Sequence, residues 1–362
     1  MKTNLKISLE RLLSFGIVGI LLALLYHGLF YPHTLPAFAQ SSLIGFLLGT
    51  TTGVLEEYLL KDWFRQKSFT QALLLRTSLY AMIATVALMF VLTLVPFILG
   101  DCHYQACLMA YLNGQTFLQD LIFSVLIVFL ITLIVQVTLL IGEQNMRRLL
   151  LGRFHQPREL KATFLFVDLH SSTSIAEQLG HRQFSAFLRD FFRDISPAIR
   201  TAKGEIYQYI GDEVIVVWSD DVFSDSASWL YCFSNMKTAI QKRTTDYKKT
   251  YGIVPTFKAG VHGGLVIASE IGSFQRALAY HGDILNTAAR LQAKCNEVGF
   301  DLLATKSMVA TLPLKQQADF ERIGKLSLKG KQEEVVAYGF YRRKHLAKKS
   351  NPVGRNALLK VV

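Results

Sequence analysis

Four long apolar runs crowd the first 142 residues of this 362-residue chain, at 12–30, 41–60, 73–99 and 118–141. Each has room for the roughly 20 apolar residues needed to cross the hydrocarbon core of a bilayer. Buried core helices are the alternative, but four such runs in succession, separated by polar joints, favour membrane spans. The second is the weakest, because Thr50, Thr51, Thr52 and the pair Glu56-Glu57 make its far end polar. Nearly all the dense charge follows Gly142, which is how a chain of net charge +12 can still be 51% hydrophobic. That second half is long enough to bury a core of its own.

Basic residues set the orientation. Lys2, Lys6 and Arg11 precede the first run, Lys61, Arg65, Lys67 and Arg76 surround the second joint, and Arg147, Arg148 and Arg153 follow the fourth run. The joints 31–40 and 100–117 contain no Lys or Arg. The positive-inside rule then places both termini, and the charged half, in the cytoplasm of a multi-pass protein of the plasma or inner membrane. The tripeptide before Gln40, Ala-Phe-Ala, resembles a signal-peptidase site, but the run before it exceeds a signal h-region, so an uncleaved anchor is expected.

Cys102 and Cys107 fall in an outer joint, where a disulfide, a metal site with His103, and unpaired thiols all stay open. Cys232 and Cys295 fall in the cytoplasmic half. His27, inside the first run, is either a helix-packing or snorkelling residue or part of a sensor. Beyond Ile141, Met146, Leu149 and Leu150 keep helical spacing, so a linker helix over 143–157 is expected, closed by Gly152 and Pro157. Its apolar face suits pairing with a second copy.

The cytoplasmic half opens with KATFLFVDLHSSTSIAEQLG (161–180). Strand alternation puts Phe164 and Phe166 on one face with Asp168, and Leu165 and Val167 on the other. Ser174-x-x-Glu177 is a capping box that starts a helix. A strand ending in an acid and leading to a helix N-terminus suits phosphate chemistry: the acid holds a cation and free N–H groups hold phosphate. Taken alone, Asp168 is equally a capping residue. The helix carries Phe184, Phe187, Leu188, Phe191 and Ile195 at core spacing. IYQYIGDEVIVVW (206–218) then reads as a hairpin turning at Gly211-Asp212. If these strands are neighbours, Asp168 and Asp212 converge, as a pair of Mg²⁺ ions bridging phosphates requires.

Five motifs, FLFVDLHSST (164–173), YIGDEV (209–214), AGVHGG (259–264), GDILNTAARL (282–291) and LKGK (328–331), stand in an order and spacing that resembles the class III nucleotidyl cyclases. The resemblance covers about 160–341. The apolar runs make 1–142 an α-helical bundle of four spans, a basic tail (344–362) ends the chain, and the resemblance implies a cytoplasmic α+β domain of ferredoxin-like, palm-type βαββαβ class III cyclase fold (158–343). It also implies that Asp168 and Asp212 bind two Mg²⁺ or Mn²⁺ ions per active site. Backbone around Leu169, His170, Ser171, Ser172 and Thr173 would hold the terminal phosphates, and Lys329 the β- and γ-phosphates. Asn286 would orient the ribose, and Arg290 would stabilise charge on the α-phosphate. In this family the metal aspartates and the Asn, Arg and Lys come from different subunits, so a homodimer would carry two equivalent sites. The reaction implied is attack of the ribose 3′-OH on the α-phosphate of a nucleoside triphosphate, with release of pyrophosphate.

The resemblance breaks at the two base-reading positions. Adenylyl members pair a Lys with Asp, Thr or Ser there, and guanylyl members pair Glu with Cys; this chain has Gln208 and Ala279. Gln208 both donates and accepts, while Ala279 offers no polar side chain. ATP is expected from the family at large, with GTP and pyrimidine triphosphates open. A non-catalytic nucleotide-binding receptor would be favoured by loss of a metal aspartate or of Arg290, and all are present. A diguanylate cyclase needs a Gly-Gly-Asp/Glu-Glu-Phe hairpin, in place of Ile210-Gly211-Asp212-Glu213-Val214 here. A transporter fits poorly with runs that carry little charge and no internal repeat. Much of the basic excess lies beside the spans and in the tail, which points to anionic membrane lipid as partner and no nucleic acid. The spans are expected to anchor the domain or to regulate it by shifting one cyclase domain against the other.

Overall fold

The structure is a computed structural model describing residues 2–30, 35–56, 64, 67–99, 103–142, 146–147, 152, 154–219, 227–273, 276–327 and 334–342. Lys329, Cys102, Glu57, most of the expected linker helix and the basic tail from 343 onward lie outside the described residues. The chain divides into two compact units, Met1–Met146 and Arg147–Val362.

The first unit is helical: α1 (Lys2–Phe30), α2 (Leu35–Val54), α3 (Phe69–Leu99), α4 (Tyr104–Asn113) and α5 (Gln115–Ile141). Three stretches, Leu12–Phe30, Phe69–Leu94 and Thr116–Ile141, are long and apolar enough to cross a membrane. The expected count of four is not reached among the described residues. In α2 the apolar stretch is the shorter Ser41–Val54, and just beyond it Glu56 forms an ion pair with Arg76 (2.7 Å). Leu21, Leu74, Leu126 and Leu139 stand exposed along the three long helices, as faces turned to lipid would.

α1 and α2 touch backbone to backbone. A Cβ on Gly19 would lie 2.0 Å from the Gly45 carbonyl oxygen, and one on Gly49 would lie 2.2 Å from that of Phe15. Small residues at such a crossing let helices pack without the help of water. His27 Nδ1 lies 3.0 Å from Ser41 Oγ across the same pair, which gives His27 a helix-pairing role. Cys107 is disulfide-bonded, whereas Cys232 and Cys295 are buried thiols.

The second unit is built on one sheet. Its elements are β1 (Arg158–Leu169), α6 (Ser172–Thr201), β2 (Glu205–Ile210), β3 (Glu213–Ser219), α7 (Ser228–Lys242), α8 (Thr244–Tyr251), β4 (Phe257–Ile271), β5 (Ala277–His281), α9 (Asp283–Val298), β6 (Phe300–Thr305), α10 (Lys306–Ala310), α11 (Leu314–Gln317), β7 (Glu321–Leu326) and β8 (Val335–Arg342). The strand order is β2-β3-β1-β4-β6-β8-β7, with β5 paired to the outer part of β4. The β4–β6 pair is parallel and its neighbours are antiparallel. The first four strands with α6 and α7 make the βαββαβ unit.

Period-2 alternation decides which face each strand residue serves. Leu165, Val167, Val214, Val216 and Trp218 pack with Phe187, Phe191, Ile195, Phe233 and Met236 of α6 and α7. Phe164, Phe166, Ile215 and Val217 pack on the opposite face with Val266, Tyr280 and Ala288. One local expectation fails. α6 begins at Ser172, its N-cap Ser171 is left-handed (φ 54°), and no side chain caps it. β1 runs on to Leu169, so the helix must start before the Ser174 box can act.

Candidate active site

Asp168 is the second-last residue of β1, and register alone gives it two neighbours. Antiparallel pairing sets it opposite Glu213 on β3 and Lys258 on β4, and directly opposed residues share a face. Gly211 takes the positive φ (62°) that the β2–β3 turn needs, and Asp212 follows it at the hairpin tip. The turn therefore hangs the second carboxylate beside the first.

The polar contacts are unequal. Asp168 Oδ2 is 3.1 Å from Lys258 Nζ and accepts a 2.7 Å hydrogen bond from Gln292 Nε2 of α9. Asp212 Oδ2 is buried without a hydrogen-bond partner among the described residues. Burial raises the Asp212 carboxyl above the usual carboxylate range; a Ser172 hydrogen bond pulls it down, and Asp168 adds to the rise. Burial, then the Asp168 and Asp212 charges, push Glu213 up to about 7 against the pull of Lys258. Three carboxyl groups thus crowd around one lysine.

That arrangement suits a hard divalent cation. The donors are carboxylate oxygens, one is orphaned, and the mutual repulsion that raises their proton affinity is what a cation relieves. Among the described residues no group of three or more His, Cys, Asp or Glu is placed to hold a metal. Two carboxylates leave coordination positions to phosphate oxygens and water.

Leu169, His170, Ser171, Ser172 and Thr173 link β1 to α6. Leu169 is buried, so it offers only backbone to a ligand. The first-turn amides of α6 carry no side-chain cap, which leaves donors for an anion. The loop is tied from below. The His170 N–H donates to the Thr256 carbonyl (2.8 Å), and His170 Nε2 lies 3.3 Å from Asp301 Oδ1 on β6. Asp301 Oδ2 accepts from Lys237 Nζ of α7 at 2.7 Å.

α9 lies hard against β4, because a Cβ at Gly260 would meet the Ala288 carbonyl oxygen at 2.2 Å and Gln292 N at 2.3 Å. This contact turns Gln292 toward Asp168. Arg290, two residues earlier, sits roughly 200° around the helix, and Asn286, four before it, shares its side. Asn286 is exposed, and Arg290 Nη1 is buried with no hydrogen-bond partner among the described residues. Within one chain the Asn/Arg pair is therefore turned away from the two aspartates.

Residues 155–340, about half of the chain, match the family model for the adenylate and guanylate cyclase catalytic domain. This chain belongs to that cyclase family. Adenylate cyclase 2 of Rhizobium meliloti (strain 1021) is 29% identical to it over 206 residues, 57% of this chain and 57% of that one. Adenylate cyclase of Anabaena cylindrica is 29% identical over 184 residues, 49% of this chain and 36% of that one. The chain thus spans little more than half the length of the first of these curated relatives and about a third of the second. The crystal structure of the adenylyl cyclase CyaB from P. aeruginosa aligns over 51% of this chain and 95% of that one, with 18% identity and a TM-score of 0.44.

The cyclase domain carries the class III fold expected from its motifs. It brings Asp168, Asp212 and the 169–173 loop together, while Lys329 lies outside the described residues. Gln208 is exposed on β2, and Ala279 is buried on β5 opposite Ser269. Their neighbours Tyr207 and Tyr280 meet with ring centroids 5.1 Å apart, so β2 and β5 approach each other there. Sequence reasoning missed Glu213, Lys258 and Gln292, although Glu213 lies inside the YIGDEV motif and the other two adjoin motifs, before Ala259 and after Leu291. Lys237 and Asp301 carry no sequence signal, since only folding brings them under the phosphate loop.

Proposed function

We propose that the chain is a membrane-anchored nucleotidyl cyclase that converts ATP to 3′,5′-cyclic AMP and pyrophosphate at two equivalent sites shared across a homodimer. The observation that carries this is the opposed facing of α9: Gln292 binds Asp168 of its own chain, while exposed Asn286 and the unpaired Arg290 Nη1 face elsewhere. A second protomer docked on that side receives the pair. Exposed Leu265, Ile267 and Ile271 on one side of β4, with Tyr209 and Ile210 beside the hairpin, supply apolar surface for such a partner.

Asp168 and Asp212 of one protomer would hold two Mg²⁺ or Mn²⁺ ions, which when bound lower the pKa of the 3′-hydroxyl and neutralise phosphate charge. The first-turn amides of α6 grip the terminal phosphates. The partner copy of Asn286 holds the ribose so that the hydroxyl faces the α-phosphate, and its Arg290 offers a fork of donors where charge builds. Lys329 of that protomer completes the grip on the β- and γ-phosphates. The names of the relatives favour ATP, while Gln208 and Ala279 leave base selection weak, because fewer buried partners go unpaired with a wrong base. The three apolar helices support membrane insertion, with the cyclase domain cytoplasmic.

Purified full chain in lipid nanodiscs, given ATP, GTP, CTP or UTP with Mg²⁺ or Mn²⁺, tests this by product mass. Cyclic AMP is expected as the main product. A different cyclic nucleotide as main product overturns the choice of ATP, and none from any of the four overturns the enzyme.

A further inference from the structure

Two groups reach Asp168 from neighbouring elements, and both stand against the same oxygen. Gln292 Nε2 of α9 donates to Oδ2 at 2.7 Å, and Lys258 Nζ of β4 lies 3.1 Å from it. Gln292 is only 6% exposed, whereas the Asp168 side chain keeps 21% of its surface open, so a cation can reach the carboxylate from solvent. Each carboxylate oxygen has about two lone-pair sites. With Gln292 and Lys258 against Oδ2, the oxygen left to meet a cation is Oδ1.

Gln292 differs from the other groups around this carboxylate, because it carries no charge. Asp212 and Glu213 repel Asp168. Lys258 attracts it, but an ammonium also repels any cation that approaches the same carboxylate. The Gln292 amide can fix the direction of Asp168 without either conflict.

The amide is itself held in place by backbone contact. A Cβ at Gly260 of β4 would meet Gln292 N at 2.3 Å and the Ala288 carbonyl oxygen at 2.2 Å. About one turn further on, Cys295 Sγ donates to the Ala259 carbonyl at 3.2 Å. α9 therefore cannot move closer to β4 to make up for a shorter side chain at position 292.

We propose that Gln292 is a positioning residue for the metal site of its own chain, turning Asp168 so that Oδ1 faces a divalent cation. This rests on the reading of Asp168 as a metal aspartate, but on neither the shared dimer site nor the choice of nucleotide. A ligand so held loses less freedom when the cation binds, and outer partners of this kind typically change metal affinity 10-fold or more.

The probe is Mn²⁺ alone, titrated into the full chain in phosphatidylcholine nanodiscs and followed by loss of the free-ion signal in electron paramagnetic resonance. Asp168→Ala defines the background. Gln292→Met, similar in size but without a donor, should weaken the Asp168-dependent binding about tenfold. Gln292→Asn keeps an amide but ends one carbon–carbon bond, about 1.5 Å, short, beyond hydrogen-bond range. It should weaken binding equally, and it carries the test if melting in chelator shows the Met variant unfolded. In turnover, the Mn²⁺ concentration for half-maximal rate should rise about tenfold in both variants, with a smaller loss of rate at saturating Mn²⁺. Wild-type Mn²⁺ affinity in either folded variant would overturn the proposal and leave the Gln292 contact one of packing. A wild-type chain that binds no more Mn²⁺ than Asp168→Ala would overturn the metal reading, and this inference with it.

Discussion

The proposed sharing of each site between two protomers makes a quantitative demand on mixed dimers. Asp212→Ala and Arg290→Ala remove groups that one chain presents on separate faces, the hairpin tip and the outward side of α9. Each variant alone should lose about 100-fold or more in kcat, the scale for removing one group that stabilises developing charge. Neither should unfold the domain. Asp212 sits in a cluster where burial and Asp168 oppose its charge, so its removal relieves repulsion, and Asn286 and Arg290 lie outside the main cores. In a dimer of one chain of each kind, one site loses both groups and the other keeps both. Random pairing of equal amounts makes about half of the dimers mixed, so activity should recover to about a quarter of wild type, and to about half in mixed dimers isolated by two affinity tags. The assay is the initial rate of cyclic nucleotide formation, with thermal melts of each variant as control. Mixed dimers that form yet remain as inactive as the single variants would refute the argument from α9 and place the whole site within one chain.

Two further outcomes follow from the surroundings of the aspartates. Glu213 in the folded, metal-free chain holds its proton to about pH 7, while an ordinary glutamate releases it near 4.5. The folded state therefore binds the extra proton, and its stability should fall as pH rises from about 4.5 through about 7. Melting in chelator should show that slope, Glu213→Gln should flatten it, and added Mg²⁺ should restore stability most at the alkaline end; a slope unchanged in the variant would count against the carboxyl cluster. On the proposed function Asp301 is a positioning residue for the 169–173 loop: Asp301→Ala removes one acceptor from Lys237 and one partner from His170 and should raise KM for the nucleotide several-fold, with a smaller loss in kcat. Asp301→Asn, which keeps the shape and one acceptor, should recover part of that KM, and equal loss in both variants with KM unmoved would leave Asp301 a purely structural residue.

Much of this protein could be read from local pattern. The alternation through Phe164, Phe166 and Asp168 is a property of any strand, and the spacing of Phe187, Phe191 and Ile195 is that of any helix buried on one side. Gly211-Asp212 marks its own turn, since few other pairs tolerate the geometry. Asp168, Asp212, Asn286 and Arg290 were recognisable because motif spacing is kept along the chain. The count of spans was less legible: the polar end of the second run was visible in the sequence, but not that it leaves α2 an apolar stretch of only Ser41–Val54. The capping box at Ser174 was misleading, since a local motif acts only if the chain before it leaves room.

Local order along the chain was enough for the two-part architecture, the strands, the hairpin and the cyclase motifs. Folding alone decided how the side chains stand to one another: Glu213 and Lys258 on either side of Asp168, Gln292 reaching it from α9, Lys237 and Asp301 beneath the 169–173 loop. These relations join residues far apart in the chain, and only the sheet register and the close approach of α9 at Gly260 bring them within hydrogen-bond reach. Periodicity is set by the backbone of a few neighbouring residues, whereas a site is set by where distant segments pack.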